Sequence, residues 1–320
     1  MENTSSNRIE WADNLKALAI FLVVLGHTGL EGQSASYNIL REWIYLFHMP
    51  LFFLLSGLSF SVVFRQGKKA VLKQIGNLII IYCLQSAFYG IFNMAVHHFL
   101  NIQTQVNAAL KDIFAIFLYP LGHFWYLHVL ILIYIVEWVL NSFIKDDRIK
   151  LAIVLILACI GKNTHVDTLS AVMHYILYFE CGRQILLVKK IPMAVSLIGV
   201  ILSFIFPFIS IDADFLVRII EVFIALSLST FLVNLFSKFL NKKIDIVTSM
   251  GKNCIWIYVF HTYFTSAFRN ICNMVIPSLP EISVILVTLI GLIGPMAVMY
   301  FFKKVRLDKL VVKPIAYFWK

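Results

Sequence analysis

An all-α integral membrane protein of about ten transmembrane helices, with both termini in the cytoplasm, is predicted by three features of the chain. Hydrophobic residues make up 60% of its 320 positions and charged residues only 14%, with a mean hydropathy of +0.85. A soluble domain has nowhere to bury that much apolar surface. Apolar segments of spanning length run over 14–30, 43–64, 75–96, 124–143, 149–162, 171–188, 192–210, 215–236, 253–276 and 282–302. Basic residues are unevenly shared between the connections. One side receives Arg65, Lys68, Lys69 and Lys73, then Lys145, Arg148 and Lys150, then Arg183, Lys189 and Lys190, then Lys238, Lys242, Lys243 and Lys252, and last the tail from Lys303 to Lys320. The other side holds Arg41, Lys111, Lys162 and Arg218, so the positive-inside rule sets both the count and the orientation.

Residues 1–320 read as a single polytopic membrane domain, without a polar linker or an internal repeat. The net charge of +10 follows from topology and does not point to nucleic acid. The first span lacks a preceding positive cluster and a small-residue cleavage site, so it is expected to stay in the mature protein. Cys83, Cys159, Cys181, Cys254 and Cys272 are scattered through apolar stretches, so neither a disulfide framework nor a metal site is expected. The longest external connection, about 97–123, carries a stretch from Val106 to Tyr119 that fits an amphipathic surface helix.

The first segment carries Lys16 and His27. Eleven positions are three helical turns, so both project from nearly one face, roughly 16 Å apart. Ionisable groups in a span are costly and usually face a bundle interior or cavity. The second segment opens with Phe47-His48-Met49-Pro50 and continues to Ser56-Gly57. Pro50 is expected to bend or break its helix, and Ser56-Gly57 offers a small surface for close approach of another helix or a ligand. His27 and His48 are expected near one external opening. Later spans add His128, Glu137, His174, Glu180, Glu221, His261 and Arg269, with His123 at a boundary. A lone histidine is more often a packing residue, but several in the outer halves of different spans fit one cavity. Ser56 lacks a Gly-x-Ser-x-Gly elbow, which leaves histidine as general base or as transient acyl carrier. Inner-face cations, Lys16 among them, can hold an anionic phosphate-bearing donor, although topology accounts for most of the loop cluster. No phosphate-loop or dinucleotide motif is present.

Two stretches resemble the membrane-bound acyltransferase-3 family, and within it the fucose 4-O-acetylase-like branch. The first is Arg8-x4-Asp13-x2-Lys16-x10-His27. The second is Phe47-His48-Met49-Pro50-Leu51-Phe52-Phe53-Leu54-Leu55-Ser56-Gly57. His123-Phe124-Trp125-Tyr126-Leu127 and Ile257-Tyr258-Val259-Phe260-His261 are weaker echoes. The resemblance implies transfer of an acyl group, usually acetyl, from cytoplasmic acyl-CoA as co-substrate to a sugar hydroxyl of a cell-surface or exported glycan. It implies a multi-pass protein of the cell membrane with no bound cofactor. By that similarity Lys16 and His27 are the catalytic pair. His48, Ser56, Gly57, Arg8, Asp13, Trp125 and His261 line the substrate site, and Arg65, Lys68, Lys69 and Lys73 hold the donor. That basic loop departs from the family pattern, with Lys73 three residues before Gly76 and Ile81-Tyr82 where a Pro-Tyr is expected. The rival reading is a transporter or flippase for a lipid-linked sugar, with Glu137, Glu180 or Glu221 as proton-linked groups. The sequence leaves the acyl group, the acceptor hydroxyl and the oligomeric state open.

Overall fold

The computed structural model describes residues 9–30, 32–100, 115–161, 167–209 and 213–315, and within them the chain is helical with no strand. Arg8, Lys111, Lys162 and most of the stretch from Val106 to Tyr119 lie outside the described residues, and residues 115–118 form a turn. In chain order the helices are α1 (Glu10–Gly26), α2 (Ala35–Tyr45), α3 (His48–Arg65), α4 (Lys68–Leu100), α5 (Trp125–Phe143), α6 (Asp147–Ile160) and α7 (Thr168–Arg183). They continue with α8 (Ile185–Val188), α9 (Met193–Ile205), α10 (Asp214–Phe239), α11 (Asp245–Lys252), α12 (Cys254–Val275), α13 (Pro280–Lys304) and α14 (Asp308–Val312).

Each of the ten apolar segments overlaps helix in the described residues. Among the described residues five stretches are long and apolar enough to cross a membrane: Ala35–Arg65, Lys68–Phe99, Gly122–Phe143, Asp214–Phe239 and Pro280–Lys304. The others are shorter or more polar. α1 has 17 residues and α6 has 14, while α12 carries His261, Thr262, Thr265 and Arg269 along its length. The break expected at Pro50 lies just before it. α2 ends at Tyr45 and α3 starts at His48, so Pro50 sits in a first turn, where a missing amide costs no helical hydrogen bond.

The chain sorts into two compact units, with boundaries inside α3, α10 and α13. The first comprises Met1–Leu55, Ile185–Ser210 and Phe223–Met296. Here α1 packs on α2, α11 and α12. The Asn14 amide donates to the carbonyls of Leu240 (2.8 Å) and Lys242 (2.9 Å), and Thr248 donates its hydroxyl to Asn14 Oδ1 at 2.7 Å. A Cβ at Gly251 would lie 1.7 Å from the Asp13 carbonyl oxygen, so only glycine allows α11 this close to α1. Trp43 on α2 donates to Ser203 of α9 at 2.9 Å and stacks on Phe204. Leu30, Tyr37, Cys272, Val284 and Val287 form a buried apolar cluster.

The second unit comprises Ser56–Gln184, Ile211–Val222 and Ala297–Lys320. A Cβ at Gly57 would lie 1.8 Å from the Phe179 carbonyl oxygen, which brings α3 directly onto α7. Phe60, Tyr134 and Phe179 interlock beside that contact. Where α5, α6 and α7 meet, Arg183 grips Glu180 through two hydrogen bonds of 2.6 Å and reaches Asp147 at 2.5 Å. Lys150 bonds Asp147 at 2.6 Å and Asn141 Oδ1 at 2.7 Å, and Asn141 in turn donates to Glu137 Oε2 at 3.0 Å. Partial burial pushes the Asp147 carboxyl up, but the hydrogen bonds and charges of Lys150 and Arg183 outweigh it and hold it below the usual carboxylate range.

Candidate functional site

The site at the end of α1 is built from three histidines and the tyrosine between two of them. α1 closes at Gly26, and His27 caps it, its backbone amide donating to the Val24 carbonyl. Its Nδ1 lies 2.7 Å from the Val23 carbonyl oxygen. A carbonyl oxygen only accepts, so Nδ1 carries the proton and Nε2 presents the lone pair. His48 repeats the device on Ile44 at 2.8 Å, and His261 on Tyr258 at 2.8 Å and Ile257 at 3.1 Å. All three imidazoles thereby carry a proton on Nδ1, which leaves Nε2 as the atom that accepts one whenever the ring is neutral.

The rings converge within the first unit. His27 meets His261 edge to face, with centroids 5.5 Å apart. Tyr45 lies 6.2 Å from His27 and 4.7 Å from His48, so the two histidines expected at one opening are joined through its ring. The Tyr45 hydroxyl donates to the Gly26 carbonyl at 3.2 Å. Arg41, one turn earlier on α2, stacks its guanidinium 4.3 Å over the Tyr45 ring. Its Nε donates to the Gly26 carbonyl and its Nη2 to the Tyr45 hydroxyl, each at 3.3 Å. His48 and His261 are buried, whereas His27 is partly exposed and therefore reachable.

Lys16 shares α1 with His27 but stands three turns away, so the two cannot act on one atom. Its Nζ lies 4.0 Å from the buried Asp13 carboxylate. Ser56, Gly57 and Trp125 belong to the second unit. There Ser56 Oγ pairs with the Tyr126 hydroxyl at 2.8 Å, Gly57 is a packing contact, and Trp125 lies 5.5 Å from the Tyr175 ring. Of the basic loop, Arg65 donates to its own helix at the Ser61 carbonyl, and Lys69 and Lys73 are exposed. Lys68 sits 5.4 Å over Trp138 and borders a cleft of about 330 Å³ with Lys145 and Asn141. A second cleft, about 440 Å³ and in the first unit, is lined by Lys189, Lys190, Pro192, Asn234, Ser237 and Lys238.

Residues 9–161 match the family model of the acyltransferase domain. This is the acyltransferase-3 family model, and the matched stretch runs from the start of α1 through α6. The matched stretch contains Lys16, His27, Arg41, Tyr45, His48, Ser56, Gly57 and Trp125, while His261 comes from outside it. No curated protein and no solved structure matches the chain. The match supports an acyltransferase with membrane helices. Sequence reasoning missed Arg41 and Tyr45 in the matched stretch. Their signal was the i, i+4 spacing that sets them on one face of α2, with Tyr45 three residues ahead of His48.

Proposed function

We propose that the protein is a membrane O-acyltransferase that moves an acyl group, acetyl by preference, from cytoplasmic acyl-CoA to a hydroxyl of a sugar in a cell-surface or exported glycan. The observation that carries this reading is the partly exposed His27, whose imidazole is held through Nδ1 by the Val23 carbonyl so that Nε2 is its basic atom. Such a ring is a competent general base. In the proposed step His27 Nε2 takes the proton of the acceptor hydroxyl as its oxygen bonds the thioester carbon. The carbon–sulfur bond then breaks, and the departing thiolate recovers the proton from the imidazolium. Lys16, three turns away on α1, fits a role in holding the donor's phosphates. The lysine cleft around Lys189, Lys190 and Lys238 offers further cations of the same first unit.

The test is release of free CoA by purified protein in detergent or vesicles, with a panel of acyl-CoA donors and sugar acceptors. His27→Ala at wild-type level is expected to lower the rate at least about 100-fold. Undiminished transfer by that variant removes His27 from the chemistry. No release by folded wild-type protein with any donor moves the assignment to the sugar transporter.

A further inference from the structure

Arg41 is a cation tethered to the residue before His27, and acyl transfer by His27 alone gives it no role. Its guanidinium is held on two sides, by the Gly26 carbonyl and the Tyr45 hydroxyl, and lies flat on the Tyr45 ring. Gly26 is the residue before His27, and the Tyr45 ring is the one that touches both His27 and His48. Among the described residues no carboxylate pairs with Arg41, whereas in the second unit Lys150 is paired with Asp147 and Arg183 with both Asp147 and Glu180. A guanidinium has five N–H donors in a planar fork. Two are committed to these tethers, which leaves three to donate. A partly buried cation that is fixed by neutral acceptors and has no carboxylate on it among the described residues is suited to a negative charge that arises only in passing.

Resting on the acyl-transfer reading, we infer that Arg41 is a catalytic residue that donates to the oxyanion formed when the acceptor hydroxyl attacks the thioester beside His27. As the oxygen–carbon bond forms, the carbonyl pair moves onto oxygen, and the proton goes to His27 Nε2. Arg41 neutralises that oxygen without itself gaining or losing a proton. When the carbonyl re-forms, the carbon–sulfur bond breaks, and the sulfur takes the proton back from His27. The two tethers keep the guanidinium in place beforehand, so no reorganisation is needed at the moment of reaction. An arginine that instead held an anionic acceptor would act on acceptor binding, equally in the ground and transition states.

Arg41→Ala and wild type are compared for kcat and both KM values in the CoA-release assay, with folding checked by circular dichroism and gel filtration in detergent. The expected result is a kcat lower by about 100-fold or more, with both KM values changed by less than about threefold. Guanidinium chloride below denaturing concentration is expected to restore part of the lost kcat, and sodium chloride at equal ionic strength is not. Tyr45→Phe, which removes one tether, is expected to lower kcat by a smaller factor, and it serves as the test if Arg41→Ala fails to fold. Unchanged kcat overturns the inference, as does a loss in folded protein that guanidinium does not restore. An effect confined to the KM of acidic acceptors also overturns it and makes Arg41 an acceptor-binding residue. Turnover by wild type together with an unaffected Arg41→Ala sinks this inference alone. Absence of turnover in wild type sinks the acyl-transfer reading and Arg41's role together.

Discussion

At the scale of single residues, the buried carboxylates of the second unit divide by partner. Glu180 receives two hydrogen bonds from Arg183 and one from Gln184 at 2.6 Å. Glu137 receives one from the Asn141 side chain, and its Oε1 has no hydrogen-bond donor among the described residues. A neutral amide therefore fits at 137 and not at 180. Glu137→Gln is expected to keep the thermal midpoint in detergent close to wild type. Glu180→Gln leaves Arg183 short of its main counter-charge and is expected to cost about 3 kcal/mol, read as a lower midpoint. Asp147 adds a pH signature. Because folding lowers the pKa of its carboxyl, its contribution is complete above the unfolded value near about 3.9 and is lost as pH falls further, through the folded value. Asp147→Asn is accordingly expected to be less stable than wild type at neutral pH, with the gap closing below about pH 4. Thermal melts of both proteins between neutral and acid pH measure it. This cluster was legible as single ionisable positions, but its pairing was not, because α6 and α7 are brought together by tertiary packing that no spacing encodes.

Among the helices, the residues that decide register are the ones with least chemistry. Gly251 admits the Asp13 carbonyl, and Asn14 beside it ties α1 to the end of α10 and, through Thr248, to α11. Gly251→Ala forces α11 away from α1 and is expected to cost about 1–3 kcal/mol, measurable as a lower melting temperature in detergent. Pro50 is the opposite case. Placed in the first turn of α3, its replacement by alanine is expected to leave the helix boundary intact and stability within about 1 kcal/mol, checked by the same melt. The helices themselves were largely readable, since hydropathy alone locates all ten apolar segments. The start of α3 was misplaced in its detail because a proline announces a break without saying on which side the helix resumes. Gly251 gave no signal at all, because a glycine that admits a backbone atom looks in sequence like any other.

Over the whole molecule, labelling checks the orientation read from Lys and Arg. A cysteine introduced at Lys242 is expected to react with a membrane-impermeant maleimide only after the cells are opened, and one introduced at Asn38 to react in intact cells. The site shows where sequence reading stops. Lys16, His27 and His48 were recognisable from spacing, and the structure adds that within one unit His27 meets His261 directly and His48 through Tyr45. It also places Ser56, Gly57 and Trp125 in the other unit, a division invisible in a linear pattern. The close approaches at Gly57 and Gly251, one in each unit, bear on how variant libraries of this protein are read. Scored by activity alone, a saturation library will rank both glycines beside His27 as intolerant. A parallel score for cellular abundance is expected to separate them: variants at the glycines are depleted from the membrane, while His27 variants persist there at full length and, on the proposed reading, inert.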